Sequence, residues 1–133
     1  MDLIKITSDK ERARSILRMT ELIKERISKQ DMEKMSALVI ADYYEILKEL
    51  ITPLLLIDGY KTLSHKDLID YLKERYTEFR SYEISFLDDL RVLRNRISYE
   101  GFFVDSSYLE RNKKVLEGLL LKLKNLVEKK LER

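Results

Sequence analysis

Three observations predict an all-α fold, an antiparallel (up-down) four-helix bundle with one additional short helix. Only three Gly and one Pro interrupt 133 residues. Apolar residues recur at three- and four-residue steps along nearly the whole chain, the spacing that lines one face of an α-helix. No stretch sustains the alternation that a half-buried strand needs. Stripes of this kind have to be covered by neighbours, and short connections make consecutive helices antiparallel.

The first helix is expected to start at Ser8 or a neighbour and to run to about Lys29. Its stripe is Ala13, Ile16, Leu17, Leu22, Ile23 and Ile27. Asp31 has the side chain to cap a second helix, with Met35, Leu38, Val39, Ile46, Leu47, Leu50 and Ile51 facing inward. Pro53 lacks a backbone donor, so this helix is expected to kink or break near Thr52 and to end at Asp58-Gly59. Ser64 caps a shorter third helix that turns Leu68, Ile69 and Leu72 inward.

A fourth helix follows from about Ser81 and carries Ile84, Leu87, Leu90, Leu93 and Ile97. Phe102-Phe103-Val104 is an apolar link. Ser107 and Glu110 then stand at capping-box spacing before a last helix that reaches about Glu132. That helix sets Leu109, Leu116, Leu119, Leu120, Leu123, Val127 and Leu131 on one side.

Composition narrows the function. The length suits one domain over residues 1–133 with a real core, and is short for two. Hydrophobic residues make up 44% and charged residues 38%, which reads as a soluble chain with an ionic surface. Lys and Arg number 26 against 24 Asp and Glu, a formal net charge of +2. So balanced a chain is not a duplex-DNA binder driven by bulk electrostatics, and any nucleic-acid contact has to come from a local patch. No cysteine means no disulfide, thiolate metal site or cysteine nucleophile. One histidine, His65, argues against a histidine metal cage or a Ser-His-Asp triad. No segment reads as a signal peptide or a membrane span, so a cytoplasmic location is expected, with no metal and no cofactor.

One stretch concentrates phosphate-handling chemistry. Arg94-Asn95-Arg96-Ile97-Ser98-Tyr99-Glu100-Gly101 ends the fourth helix with guanidinium, amide and phenol groups beside a glycine that lets the chain leave the helix. Arginine's planar fork suits phosphate. The bland alternative is a helix end held by Arg94 and Asn95 through its exposed carbonyls.

This element resembles the signature of the HEPN superfamily, in which an arginine, often followed by asparagine, precedes a histidine by a few residues. A second region is similar to a loop between two HEPN helices. It runs from Asp58-Gly59-Tyr60-Lys61 to Leu63-Ser64-His65-Lys66-Asp67-Leu68. The helix order fits as well, so the resemblance covers most of the chain.

Active HEPN proteins are metal-independent endoribonucleases that act as dimers, with paired Arg and His in a cleft between protomers. By resemblance, Arg94, Asn95 and Arg96 are phosphate- or nucleotide-binding residues, and Arg94 and Tyr99 are the catalytic pair. Tyr99 stands where the family has histidine. A phenol in water ionises at about pH 10, so tyrosine is a poor resting base at neutral pH although it can donate a hydrogen bond. The variant therefore favours binding over turnover. The resemblance further implies a homodimer that binds RNA or nucleotide and partners a small nucleotidyltransferase in a toxin–antitoxin-like pair, with Tyr99 as the acceptor of a transferred nucleotide. Alternatives are an endoribonuclease using Arg94 and Tyr99, or a non-catalytic interaction scaffold.

Other candidates read as structural. His65 lies far from Arg94 in sequence and is expected to help open its helix. Asp88 and Asp89 point to different helix faces. Lys113, Lys114, Lys122, Lys124, Lys129, Lys130 and Arg133 read mainly as the wet face of the last helix. Eight tyrosines exceed what a small core needs and favour an interface.

Overall fold

In the computed structural model, which describes residues 1–133, the order is β1 (Ile4–Lys5), α1 (Lys10–Ser28), α2 (Ser36–Asp58), β2 (Tyr60–Lys61), α3 (His65–Arg75), α4 (Ser81–Glu100) and α5 (Ser107–Leu131). The fold is an all-α bundle. At the start of α1 the Asp9 carboxylate accepts the Arg12 N–H at 3.0 Å, so Asp9 is the cap. Ser8 instead donates its hydroxyl to the Ile57 carbonyl at 2.7 Å. The Asp9 N–H reaches the Leu56 carbonyl at 3.0 Å, and Arg26 pairs with Asp42 at 2.8 Å at the opposite end. Helices α1 and α2 therefore run antiparallel.

Two expectations for α2 are corrected. Asp31 does not cap it: its carboxylate accepts the N–H groups of Glu33 and Lys34, winding a separate turn before the helix begins at Ser36. Nor does Pro53 break it: α2 is continuous across Thr52 and ends at Asp58, where its end was expected. A proline inside a helix costs about 3 kcal/mol. Here Pro53 is buried in a helix that contacts α1, α3, α4 and α5, and burial of the surrounding apolar residues outweighs the lost hydrogen bond. The helix stops at Gly59, whose φ of 92° is left-handed backbone.

A two-residue ladder, too short to show alternation in the sequence, pairs Ile4 with Lys61 and Lys5 with Tyr60. It ties the N-terminal segment to the loop before α3. Ser64 caps α3 as expected, accepting the Asp67 N–H at 3.2 Å. At the start of α4 the Glu83 carboxylate accepts the Arg80 N–H at 2.9 Å. The box expected from Ser107 and Glu110 is absent. Ser107 already lies within α5, and Asp105 accepts its N–H at 2.9 Å.

The core is one cluster of 24 buried residues. Twelve of the 23 residues of α2 are buried, against four of the 19 of α1, so α2 is the central helix and the others wrap it. This central position explains why Ile40, Tyr44, Leu54 and Leu55 are buried although they lie off the expected stripe. Leu22 and Leu38 were expected inside but are exposed, because no helix covers their side of α1 or α2. Helices α2 and α5 run parallel. Ser36 bonds the Val104 carbonyl just before α5, and Asp58 pairs with Lys130 near the end of α5.

Candidate functional site

The last two turns of α4 bring Arg94, Asn95 and Tyr99 together. Arg94 is half-buried. Its Nη1 donates to Asn95 Oδ1 at 3.4 Å, and its guanidinium carbon lies 5.9 Å from the centre of the Tyr99 ring. It makes no ion pair, whereas its helix neighbours do: Arg91 with Asp88 at 3.0 Å and Arg96 with Glu100 at 3.6 Å. Arg96 does not join the cluster. Two residues further along, a helix has turned by about 200°, and the Arg96 guanidinium lies over the Phe102 ring at 3.8 Å. Tyr99 is 78% exposed.

Helices α2 and α3 complete the surroundings. Tyr44 is buried, and its ring centre lies 6.0 Å from that of His65, the first residue of α3. Burial pushes the Tyr44 phenol up to about 12, while the charges of Arg91 and Arg94 pull the other way. Burial also lowers the His65 pKa, and the positive charges of Lys48, Arg94 and Arg91 lower it further. His65 therefore shares the electrostatic neighbourhood of Arg94 despite its distance in sequence. Lys48 is matched by Glu45 at 2.9 Å and Glu49 at 3.4 Å, and Arg91 by Asp88. Arg94 is the cation left uncompensated.

Comparison with protein-family models, curated proteins and solved structures finds no match. A guanidinium without a carboxylate beside an amide, with a phenol ring 5.9 Å away, carries the donors that an anionic group could use.

The other candidates are structural. Asp88 is engaged by Arg91, Asp89 faces solvent, and no cluster of His, Asp and Glu is arranged to hold a metal ion. The lysines of α5 are more than a wet face. Lys122 pairs with Glu83, Lys124 with Glu21 and Lys130 with Asp58, which fastens α5 to three different elements. The Asp58 carboxylate also accepts from the phenols of Tyr71 and Tyr76, each at 2.6 Å. A groove of about 830 Å³ runs between α1 and α5 over Ile46 and Leu50 of α2, away from Arg94.

Proposed function

We propose that this chain is a HEPN-like protein that binds nucleotide or RNA phosphate, acting as the non-catalytic or weakly catalytic partner of a small nucleotidyltransferase in a toxin–antitoxin-like pair. The observation that carries the reading is Arg94, a half-buried guanidinium with no carboxylate partner beside Asn95 and Tyr99. A half-buried guanidinium with no carboxylate leaves donors free for an anion to use. The exposed Tyr99 phenol is open to a nucleotidyl group transferred from a partner enzyme.

A homodimer belongs to the same reading. Leu38 and Phe103 are 61% and 90% exposed. They gather at the end of the bundle where α2 begins and α4 ends, a location that the Ser36–Val104 bond fixes. Apolar and aromatic side chains left bare together suit a surface covered by a second copy. Light scattering on the purified chain tests this, and a monomer at all concentrations would remove the dimer.

The second reading, a metal-independent endoribonuclease, is favoured by the closeness of the Tyr99 ring to Arg94. RNA cleavage in EDTA separates the two. Cleavage that both Arg94→Ala and Tyr99→Phe abolish would establish the nuclease. Arg94-dependent binding of nucleotide or RNA without cleavage is the outcome expected here. Neither binding nor cleavage would leave only an interaction scaffold.

A further inference from the structure

Helices α1 and α5 both lie on α2, and they are fastened to each other at one end. Lys10 bonds the Arg133 carbonyl just past the end of α5, and Glu21 pairs with Lys124 at 2.9 Å. From that pair toward the opposite end of the bundle the groove of about 830 Å³ lies between them. Its floor is α2, where Ile46 and Leu50 are buried. Its open apolar surface comes from the exposed Met32 and Leu121 and the half-buried Tyr43, Leu109 and Leu120. On α5 the lining runs from Leu109 to Lys124, about 22 Å of helix. A long apolar groove walled by two helices has the form of a seat for a third, amphipathic one of about fifteen residues.

Charge on the wall narrows the occupant. Glu110, Lys113 and Glu117 follow one another at steps of three and four residues, so they stand in one row along α5. The ion pairs of α5 are made by Lys122, Lys124, Glu128 and Lys130, and none of the three takes part. The row is thus an unmatched ladder of negative, positive and negative charge. A lipid headgroup or a small ion offers one sign only. A ladder of both signs at helical spacing is matched by another helix that carries the reverse order.

We propose that the α1–α5 groove seats an amphipathic helix of a partner protein. Its apolar side chains, spaced at i, i+3 or i+4 and i+7, cover Tyr43, Leu120 and Leu121. A basic–acidic–basic row on its flank faces Glu110, Lys113 and Glu117. The inference does not rest on Arg94, which lies away from the groove.

Two synthetic peptides of about fifteen residues test it. Both carry the same leucine face. One has lysine, glutamate and lysine along its flank, and the other has glutamate, lysine and glutamate. Titrated into each labelled peptide, the full chain should bind the first about tenfold more tightly, the combined effect of three exposed ion pairs. Reversing the row in the protein, by Glu110→Lys, Lys113→Glu and Glu117→Lys together, should invert that preference. Leu121→Asp should weaken both peptides and leave the preference between them. Equal binding of the two peptides, or a preference that a folded reversed variant does not invert, would overturn the charge-matched helix. Binding of neither peptide would overturn the groove as a helix seat. Self-association of the chain that the first peptide disrupts would assign the groove to a second copy and so overturn the partner. The comparison of the two peptides is made on the native chain, so it stands even where a variant folds poorly.

Discussion

Arg94 shows what one residue can and cannot disclose from sequence. Its type and its place late in a helix were legible, and they suggested phosphate. Its lack of a carboxylate was not legible: no Asp or Glu stands three or four residues from it on the helix, but a partner from another helix could still have met it. Replacing it by alanine is expected to weaken nucleotide binding by about tenfold or more, the worth of a charge-assisted hydrogen bond. Stability should change by less than about 1 kcal/mol, since no internal ion pair is broken. Arg94→Lys should recover only part of the binding, for it keeps the charge and loses the planar fork. Binding isotherms beside urea melts check both statements, and a large loss of stability would turn Arg94 into a structural residue. Arg96 looked equivalent in sequence and is not. The helical turn sends it to Phe102 and Glu100, so Arg96→Ala should leave binding nearly unchanged.

At the scale of elements, the helices and their stripes were largely readable, and the ends less so. Gly59 and Gly101 both close helices with positive φ, at 92° and 65°. Their surroundings differ. A Cβ on Gly59 would meet the Ile6 carbonyl oxygen at 3.1 Å, in the segment paired with the α2–α3 loop, while one on Gly101 meets nothing. Gly101→Ala is expected to cost about 1 kcal/mol from backbone strain alone. Gly59→Ala should cost more, about 2–3 kcal/mol, because crowding adds to strain. Equal losses in urea denaturation would show that the contact carries no weight. Pro53 is the reverse case, a local signal overruled. Proline chemistry argued for a kink or break near Thr52, but α1, α3, α4 and α5 all contact α2 and the helix runs on through Pro53.

For the whole molecule, what matters is how α2 is enclosed and fastened. The Asp58 carboxylate gathers Lys130 from α5, Tyr71 from α3 and Tyr76 just after it. Burial alone would raise the Asp58 pKa, but the bonds from Lys130, Tyr71 and Tyr76 more than offset it and hold it below the usual carboxylate range. Glu83 behaves alike: burial opposes, while the Arg80 N–H and Lys122 lower its pKa. A carboxyl group with a depressed pKa in the folded state adds stability above its unfolded value, and loses it as pH falls through the folded one. The bundle should therefore weaken below about pH 4. Urea midpoints at neutral and acid pH measure this, and Asp58→Asn should flatten the acid branch. Asp58→Ala should cost about 2–4 kcal/mol at neutral pH, since it strands an ammonium and two phenols in a partly buried place.

The sequence by itself determined the all-α bundle, the approximate extent of its helices and the residue types at the end of α4. These follow from local rules, namely apolar spacing, capping and the chemistry of glycine. Only the tertiary structure decided that α2 is central, that Leu22 and Leu38 face outward, that Arg94 stays unpaired, and that His65 lies beside Tyr44 in the field of Arg94. The physical reason is range. A helix stripe records which face is apolar, but which neighbour covers it, and which charges meet across it, depend on how all five helices close on one another.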